Sequence, residues 1–270
     1  MIVIGIILIV VGIVLFFVQR NQKQRAFSVR SARLVTAQEL HQMAGEIAKE
    51  IGGGSWRDYV KVNGMIQCDR PLTSELKQMP CVHYSMTVTR EYEEKVTKTD
   101  SDGNRTTETN RGSETVSSNK QSVPFMVKDA TGTIEVNPEG ANIETVKVLD
   151  EFQQGEQRGG MLSFGGFSLT IGGMSSGGVF GGSGRRTIGY RYQEHILPLE
   201  RRVLVVGTAS DSTGSVTLQK PLDGEKKYII SLKTEEELTK AADNTAQLAF
   251  YGMIGCFVLG FILVLVDIVS

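Results

Sequence analysis

The stretch Leu248–Val266 reads LAFYGMIGCFVLGFILVLV, nineteen residues without a charge. Wound as a helix it is about 28 Å long, close to the ~30 Å hydrocarbon core of a bilayer. Four residues, Asp267 to Ser270, follow it. A second apolar run, Met1–Val18 (MIVIGIILIVVGIVLFFV), opens the chain. Two such runs at the two ends make everything between them a loop, tethered at both ends to one face of a membrane. No basic residue precedes the first run, whereas Arg20, Lys23, Arg25, Arg30 and Arg33 follow it before the first acid, Glu39. A cleaved signal carries its basic residues ahead of the apolar core, so Met1–Val18 reads as a retained anchor. The same bias places the loop on the cytoplasmic side.

Small residues stripe both runs. Gly5 and Gly12 lie seven apart, and Gly252, Cys256 and Gly260 recur every four residues. Such a stripe lets a second helix approach closely, either within the chain or between copies. Charge says little more: the formal net charge is −1, so no global field argues for nucleic acid. Only Cys68 and Cys81 lie outside the apolar runs, which is no disulfide framework.

Between the anchors the texture changes twice. Thr36-Ala37-Gln38-Glu39 has capping-box spacing, and Leu40, Met43, Ala44, Ile47, Ala48 and Ile51 follow at helical period until Gly52–Gly54. The acidic cast of its polar face predicts packing on the soluble domain rather than on headgroups. From Trp56 the pattern is β: strands are expected over 59–68 with a bend at Gly64, over 81–96, over 123–136 across an Asp129–Gly132 turn, and over 190–199, 203–208, 215–219 and 228–232. The polar run Lys98–Gln121 is either a disordered loop or the tip of a long exposed hairpin. Thr234-Glu235-Glu236-Glu237 repeats the capping-box spacing and starts a helix leading to the second anchor.

Gly159–Gly184 runs twenty-six residues without a charge. It carries nine large apolar side chains, among them Phe164, Phe167, Leu169, Ile171 and Phe180. A solvated linker has no use for that much apolar surface, so these five, with Gly252, Cys256 and Gly260, are the expected contacts to lipid or to another copy. The fold class expected is a two-helix membrane protein with a mainly β (α+β) soluble domain, a small barrel or sandwich. Its divisions are a span over 1–18, a basic segment and amphipathic helix over 19–55, the β domain over 56–240, and a second span over 246–267.

Catalytic signatures are not found. Cys68, Cys81 and His83 would supply three zinc ligands, but C-x12-C-x-H matches none of the familiar zinc spacings. His41, His83 and His195 are scattered. There is no G-x-S-x-G and no phosphate-cradling glycine motif. No cofactor, metal or catalytic residue is assigned. Arg185-Arg186 and Arg201-Arg202 read as solvated turns.

Four segments taken in order, CDRPL…MPCVHYSMTV, VPFMVKDATGTIEVNPEGA, YRYQEHILPLERRVLVVGTAS and YIISLKTEEEL, resemble the Mulan/GIDE family. The resemblance covers most of Trp56–Lys240; KDATGTIEVNPEGA and the run from Glu194 to Gly207 are its most specific pieces. It implies a BAM (beside-a-membrane) domain between two membrane helices, held in the intermembrane space in organellar members, with relatives in prokaryotes, where the membrane would be the cell membrane. Ligase activity in that family belongs to a zinc-binding RING after the second helix. Here no Cys-x-x-Cys occurs anywhere and four residues follow the helix, so ubiquitin ligase activity is not expected of this chain. The expectation is a non-catalytic scaffold that self-associates, with membrane lipid and further copies as partners. A lipid or ligand sensor signalling to a separate effector protein is the alternative.

Overall fold

The structure, a computed structural model, describes residues 2–99, 104–155, 161–170, 185–212 and 214–269. Ile171 and Phe180, with most of the glycine-rich segment, lie outside the described residues, and so does the tip of the polar run. The chain forms two compact units: Met1–Gln67, Phe125–Glu144 and Arg201–Ser270 make the first, and Cys68–Pro124 with Thr145–Glu200 make the second. The second unit is thus inserted into the first at two points.

The first unit holds three helices, α1 (Ile2–Ser31), α2 (Ala37–Ile51) and α3 (Glu235–Val269). α1 does not stop where its apolar run does. It continues through the basic segment to Ser31 as one helix, because nothing between Gln19 and Arg30 breaks a helix and its far end has a barrel to rest on. α2 is capped as its sequence predicts: Glu39 donates its backbone N–H to Thr36 Oγ1, and Thr36 donates its own to the Glu39 carboxylate at 2.7 Å. Its apolar face is buried at Ala37, Leu40 and Ala44, so the helix packs on the domain. α3 opens on the reciprocal Thr234/Glu237 bonds and runs unbroken into the second apolar stretch.

Both terminal helices are long and apolar enough to cross a membrane, and only 17% and 11% of their most apolar windows are buried. The core helix of a water-soluble protein would be mostly covered, and these are not. Large side chains such as Ile7, Val14, Phe17, Leu259 and Phe261 face outward, where a bilayer would cover them. The two helices pack antiparallel. A Cβ on Gly5 would meet Val264 at 2.7 Å and the Gly260 carbonyl at 2.9 Å, one on Gly12 would meet the Phe257 ring, and one on Gly252 would meet Leu15. The small-residue stripe therefore receives α1 of the same chain.

Five strands close into a barrel: Arg57–Gln67, Phe125–Lys128, Thr133–Val136, Thr217–Gln219 and Arg202–Ser210, the last returning to the first. Counted along the chain, the order around the barrel is first, second, third, fifth, fourth, and the third and fifth run parallel. This is the Greek-key connection of an OB-type barrel. The fourth strand pairs with the first without interruption from Arg202–Met65 to Ser210–Arg57. On its other side it meets Ile229–Ser231 and then Thr217–Gln219. Val203 to Ser210 is buried throughout, which explains why its sequence runs apolar instead of alternating. One face looks into the barrel, while on the other Leu204 and Val206 join Val29 and Ala32 of α1 and Leu238 of α3 in one apolar cluster.

The second unit is an open antiparallel sheet. Its order is Arg105–Ser122, Pro80–Thr99, Arg185–Pro198, Val146–Gln154, with Leu72–Thr73 pairing at the start of the long second strand. The polar run is thus one arm of a long hairpin, paired from Thr99–Arg105 back to His83–Ser122. A core of Leu76, Met86, Val88, Leu149, Tyr190 and Tyr192 fills one region of this unit. A small hairpin, Met161–Phe164 with Phe167–Thr170, brings Phe164 and Phe167 onto that core.

Candidate functional site at the membrane junction

Where α1 ends and α3 begins, both meet the barrel. Lys61 lies in the first barrel strand between the fully buried Val60 and Val62, so its side chain points to the opposite, outer face. It is itself 6% exposed. Its ammonium donates to the Val29 carbonyl at 3.0 Å, in the last turn of α1, and to the Glu235 carboxylate at 2.5 Å, in the first turn of α3. One cation thus serves an orphan carbonyl at a helix C-terminus and holds an acid at a helix N-terminus, both favoured by the helix dipoles. Arg30–Asp243 bridges the same two helices at the surface. Beside them Glu144 accepts from Ser231 Oγ and pairs with Lys233. Burial pulls the Glu144 pKa upward, but the bonds from Lys233 and Ser231 outweigh it and hold the carboxyl below its ordinary range.

The family-like motifs prove to be bonded turns. Asp129 accepts the backbone N–H of Thr131 and Gly132, closing its own turn, and that of Ala37 at 2.7 Å, at the start of α2. Burial raises its pKa and these donors more than cancel the rise, so the carboxyl sits below its usual value. In the second unit Glu194 is fully buried and accepts from Ser74 Oγ at 2.9 Å, Leu76 N–H at 2.8 Å and Lys77 N–H at 2.9 Å. Gly207 lets the Tyr228 ring lie where a Cβ would stand, 2.7 Å away, and the Tyr228 hydroxyl donates to the Asn137 carbonyl at 2.6 Å.

The residues expected from sequence to make external contacts are placed as follows. Phe164 stacks on Tyr192 with ring centroids 4.7 Å apart, and Phe167 lies against the same buried cluster; both are half-buried. Leu169 pairs through its backbone with Leu162 in the small hairpin. Gly252 and Gly260 face α1, and Cys256 between them is half-buried. Cys68, Cys81 and His83 do not converge: no group of three His, Cys, Asp or Glu is placed to hold a metal among the described residues. Cys81 is wholly buried beside Tyr84 and Ile196, and burial first, then the Glu194 charge, pushes its thiol up to about 11. His83 bonds Ser122 Oγ at 2.7 Å, and His41 lies 3.0 Å from the Thr133 carbonyl.

Sequence reasoning passed over Lys61 and Glu194, of which Glu194 leaves a signal. Tyr190, Tyr192, Glu194 and Ile196 share one face of a strand, so an acid interrupts an otherwise apolar row. A lone charge inside an apolar alternation marks a bonded buried ion. Lys61 leaves none: its own face of the strand, Tyr59, Lys61, Asn63 and Met65, is mixed, and only the helix ends laid against it bury the ammonium.

A family model described as GIDE: E3 Ubiquitin ligase matches residues 93–266, well over half of the 270 residues. No curated protein matches the chain, and no solved structure does. The matched span includes the Asp129 turn, the Glu194 strand, the fourth barrel strand and the second apolar helix, and on that ground the chain belongs to the GIDE family.

Proposed function

We propose that this GIDE-family chain is a non-catalytic, membrane-anchored scaffold that self-associates beside the bilayer. One observation carries the non-catalytic part. The buried side chains among the described residues that carry a charge or an imidazole are Lys61, His83, Arg90, Glu194 and Asp211, and each holds a turn, a strand or a helix end. Lys61, His83 and Glu194 do so as described above. Arg90 bonds Thr187 and Glu114, and Asp211 accepts the Gly54 and Trp56 N–H groups. A catalytic acid or base needs a buried or cleft-lining group with bonding capacity left for a substrate. Self-association falls to the outward faces of α1 and α3 and to the uncharged segment 159–184, since the glycine stripe is occupied by α1. In this reading the domain lies on the cytoplasmic face, by the basic residues that follow the first apolar run.

Ubiquitin transfer, which the family description names, would need zinc-bound Cys and His beyond these 270 residues, in which no Cys-x-x-Cys occurs. The test is the mass of the intact protein particle in mild detergent. A discrete assembly of several copies is expected, lost when Ile171, Met174, Val179 and Phe180 are all replaced by Ser. A monomer would overturn the scaffold. Ubiquitin chains formed by this protein alone with activating and conjugating enzymes would overturn its non-catalytic character. The sensor reading is favoured by a different observation, the Lys61 junction, through which a shift of either helix would reach the barrel and so a separate effector protein.

A further inference from the structure

Beside the helix pair, α1 and the barrel loop that begins at Lys220 enclose a cavity of about 310 Å³. Its lining includes Asn21 and Arg25 from α1 and Lys220, Lys226 and Lys227 from the loop, against a single acid, Asp223. Asp223 is engaged in its own turn, accepting the Glu225 N–H at 2.9 Å. Among the described residues no ion pair neutralises the four basic groups, and Arg25 Nε is buried with no hydrogen-bond partner. The Arg25 charge is felt by Glu144, but that carboxylate is bonded to Ser231 and Lys233. Lys226 stands over the Tyr59 ring, 5.1 Å from its centroid, and Lys220 is exposed, so the unmet demand is that of the buried Arg25 Nε, a donor without a partner beside three ammonium groups, which an anion relieves.

The height of the cavity indicates where the anion would come from. The apolar run of α1 ends at Val18. Asn21 and Arg25 are three and seven residues further on, so they stand about 4.5 and 10 Å along the helix axis beyond it. The headgroup layer outside the hydrocarbon is about 5–8 Å deep on each side. The cavity therefore lies at the depth of lipid phosphates or just above them, and a guanidinium fork suits two phosphate oxygens at once.

We propose that this cavity binds a phosphate group, that of an acidic phospholipid headgroup, through Arg25, Lys220 and Lys226. It goes beyond the scaffold reading and does not depend on it. The test uses the full chain in nanodiscs of phosphatidylcholine alone or mixed with phosphatidylglycerol. Lipid retained on the protein is measured by native mass spectrometry, and the thermal midpoint is measured in both discs. The wild type should retain phosphatidylglycerol selectively and gain midpoint from it. Each of Arg25→Gln, Lys220→Gln and Lys226→Gln should weaken that retention about fivefold, while the midpoint in pure phosphatidylcholine stays near wild type. If Arg25→Gln fails to fold, the exposed rim change Lys220→Gln alone carries the comparison. Inorganic phosphate and glycerol phosphate are added to the phosphatidylcholine discs as a second arm. Stabilisation by these without preference for phosphatidylglycerol would reassign the source to a soluble phosphate. Absence of both effects, or equal retention by wild type and variant, overturns the proposal.

Discussion

The barrel unit and the inserted sheet unit face the same demand, covering the two faces of a β-sheet, and meet it differently. The barrel closes on itself and then lays the ends of two helices against its outside, so its fourth strand is buried from Val203 to Ser210. The sheet stays open. Its edge strand is exposed from Arg105 to Arg111, carries no large apolar row there, and is tied to its neighbour by charge pairs such as Lys98–Glu108 and Arg111–Glu93. Open edges invite pairing with other chains, and charge along them discourages it. Sensitivity to substitution should therefore follow enclosure and not the length of a strand, although the longest strand of all, Pro80–Thr99, belongs to the open sheet.

The sharpest way to break this contrast is at Glu194, where the open sheet encloses a carboxylate. Glu194→Ala leaves the Ser74 hydroxyl and the Leu76 and Lys77 N–H groups without an acceptor, at a cost of about 3–5 kcal/mol. Hydrogen exchange should rise across 74–79 and 185–198 while 202–210 keeps its protection. Equal loss in both units would show that they unfold as one, and the contrast would fall. A somewhat smaller effect is expected from acid. Burial first, then the nearby Lys120 charge, lowers the His83 pKa from 6.5 to about 4. The folded state thus holds His83 neutral where the unfolded chain takes a proton. The stability it contributes is whole above pH 6.5 and is lost as pH falls toward 4, by up to about 3 kcal/mol. The carboxyls held low, Asp129 and Glu144, lose theirs further down, below ordinary values of 3.8 and 4.5. Urea titrations of His83→Gln should show a flattened dependence in the upper window, with the lower one unchanged.

The junction gives an intermediate case. Lys61→Met keeps the length of the side chain but frees the Val29 carbonyl and the Glu235 carboxylate. Glu235 is 40% exposed and can turn to water, so the loss should be about 1–2 kcal/mol. Exchange should quicken at 28–32 and in the first turn of α3 while the barrel interior holds. An undisturbed junction would assign the coupling of helices and barrel to the Val29, Ala32 and Leu238 contacts alone.

Much of the barrel unit is legible in the sequence because its signals are local. Two apolar runs, two capping boxes and the Asp129–Gly132 turn each declare themselves within a few residues. What is not legible depends on distant partners. Val146–Gln154 reads VKVLDEFQQ, with too little alternation to announce a strand, and becomes one only by pairing with Arg185–Pro198. The polar arm Arg105–Ser122 likewise has no apolar period, because neither of its faces is enclosed over its outer half. Closure of the barrel needs the parallel contact of Thr133–Val136 with Thr217–Gln219, eighty residues apart, which no spacing reveals. The basic cavity assembles from α1 and a loop two hundred residues later, so only the fold brings its cations together.

The weakest perturbation sharpens the rule most. Lys98 and Glu108 pair at 2.8 Å, but their side chains are 65% and 49% exposed. In that setting solvent screens the attraction and two long side chains lose freedom to meet, so Glu108→Ala should cost less than about 0.5 kcal/mol. Nearer the core of the same hairpin, Arg90 pairs with Glu114 at a similar distance, 2.9 Å, with the arginine only 5% exposed. Glu114→Ala would remove the carboxylate from a guanidinium that water cannot reach, leaving its Thr187 bond, and its cost should exceed that of Glu108→Ala severalfold. The two substitutions remove the same carboxylate from the same strand at nearly equal pair distances. The difference between their thermal midpoints should therefore follow chiefly the enclosure of the cation, and added salt should shrink the small effect while leaving the large one.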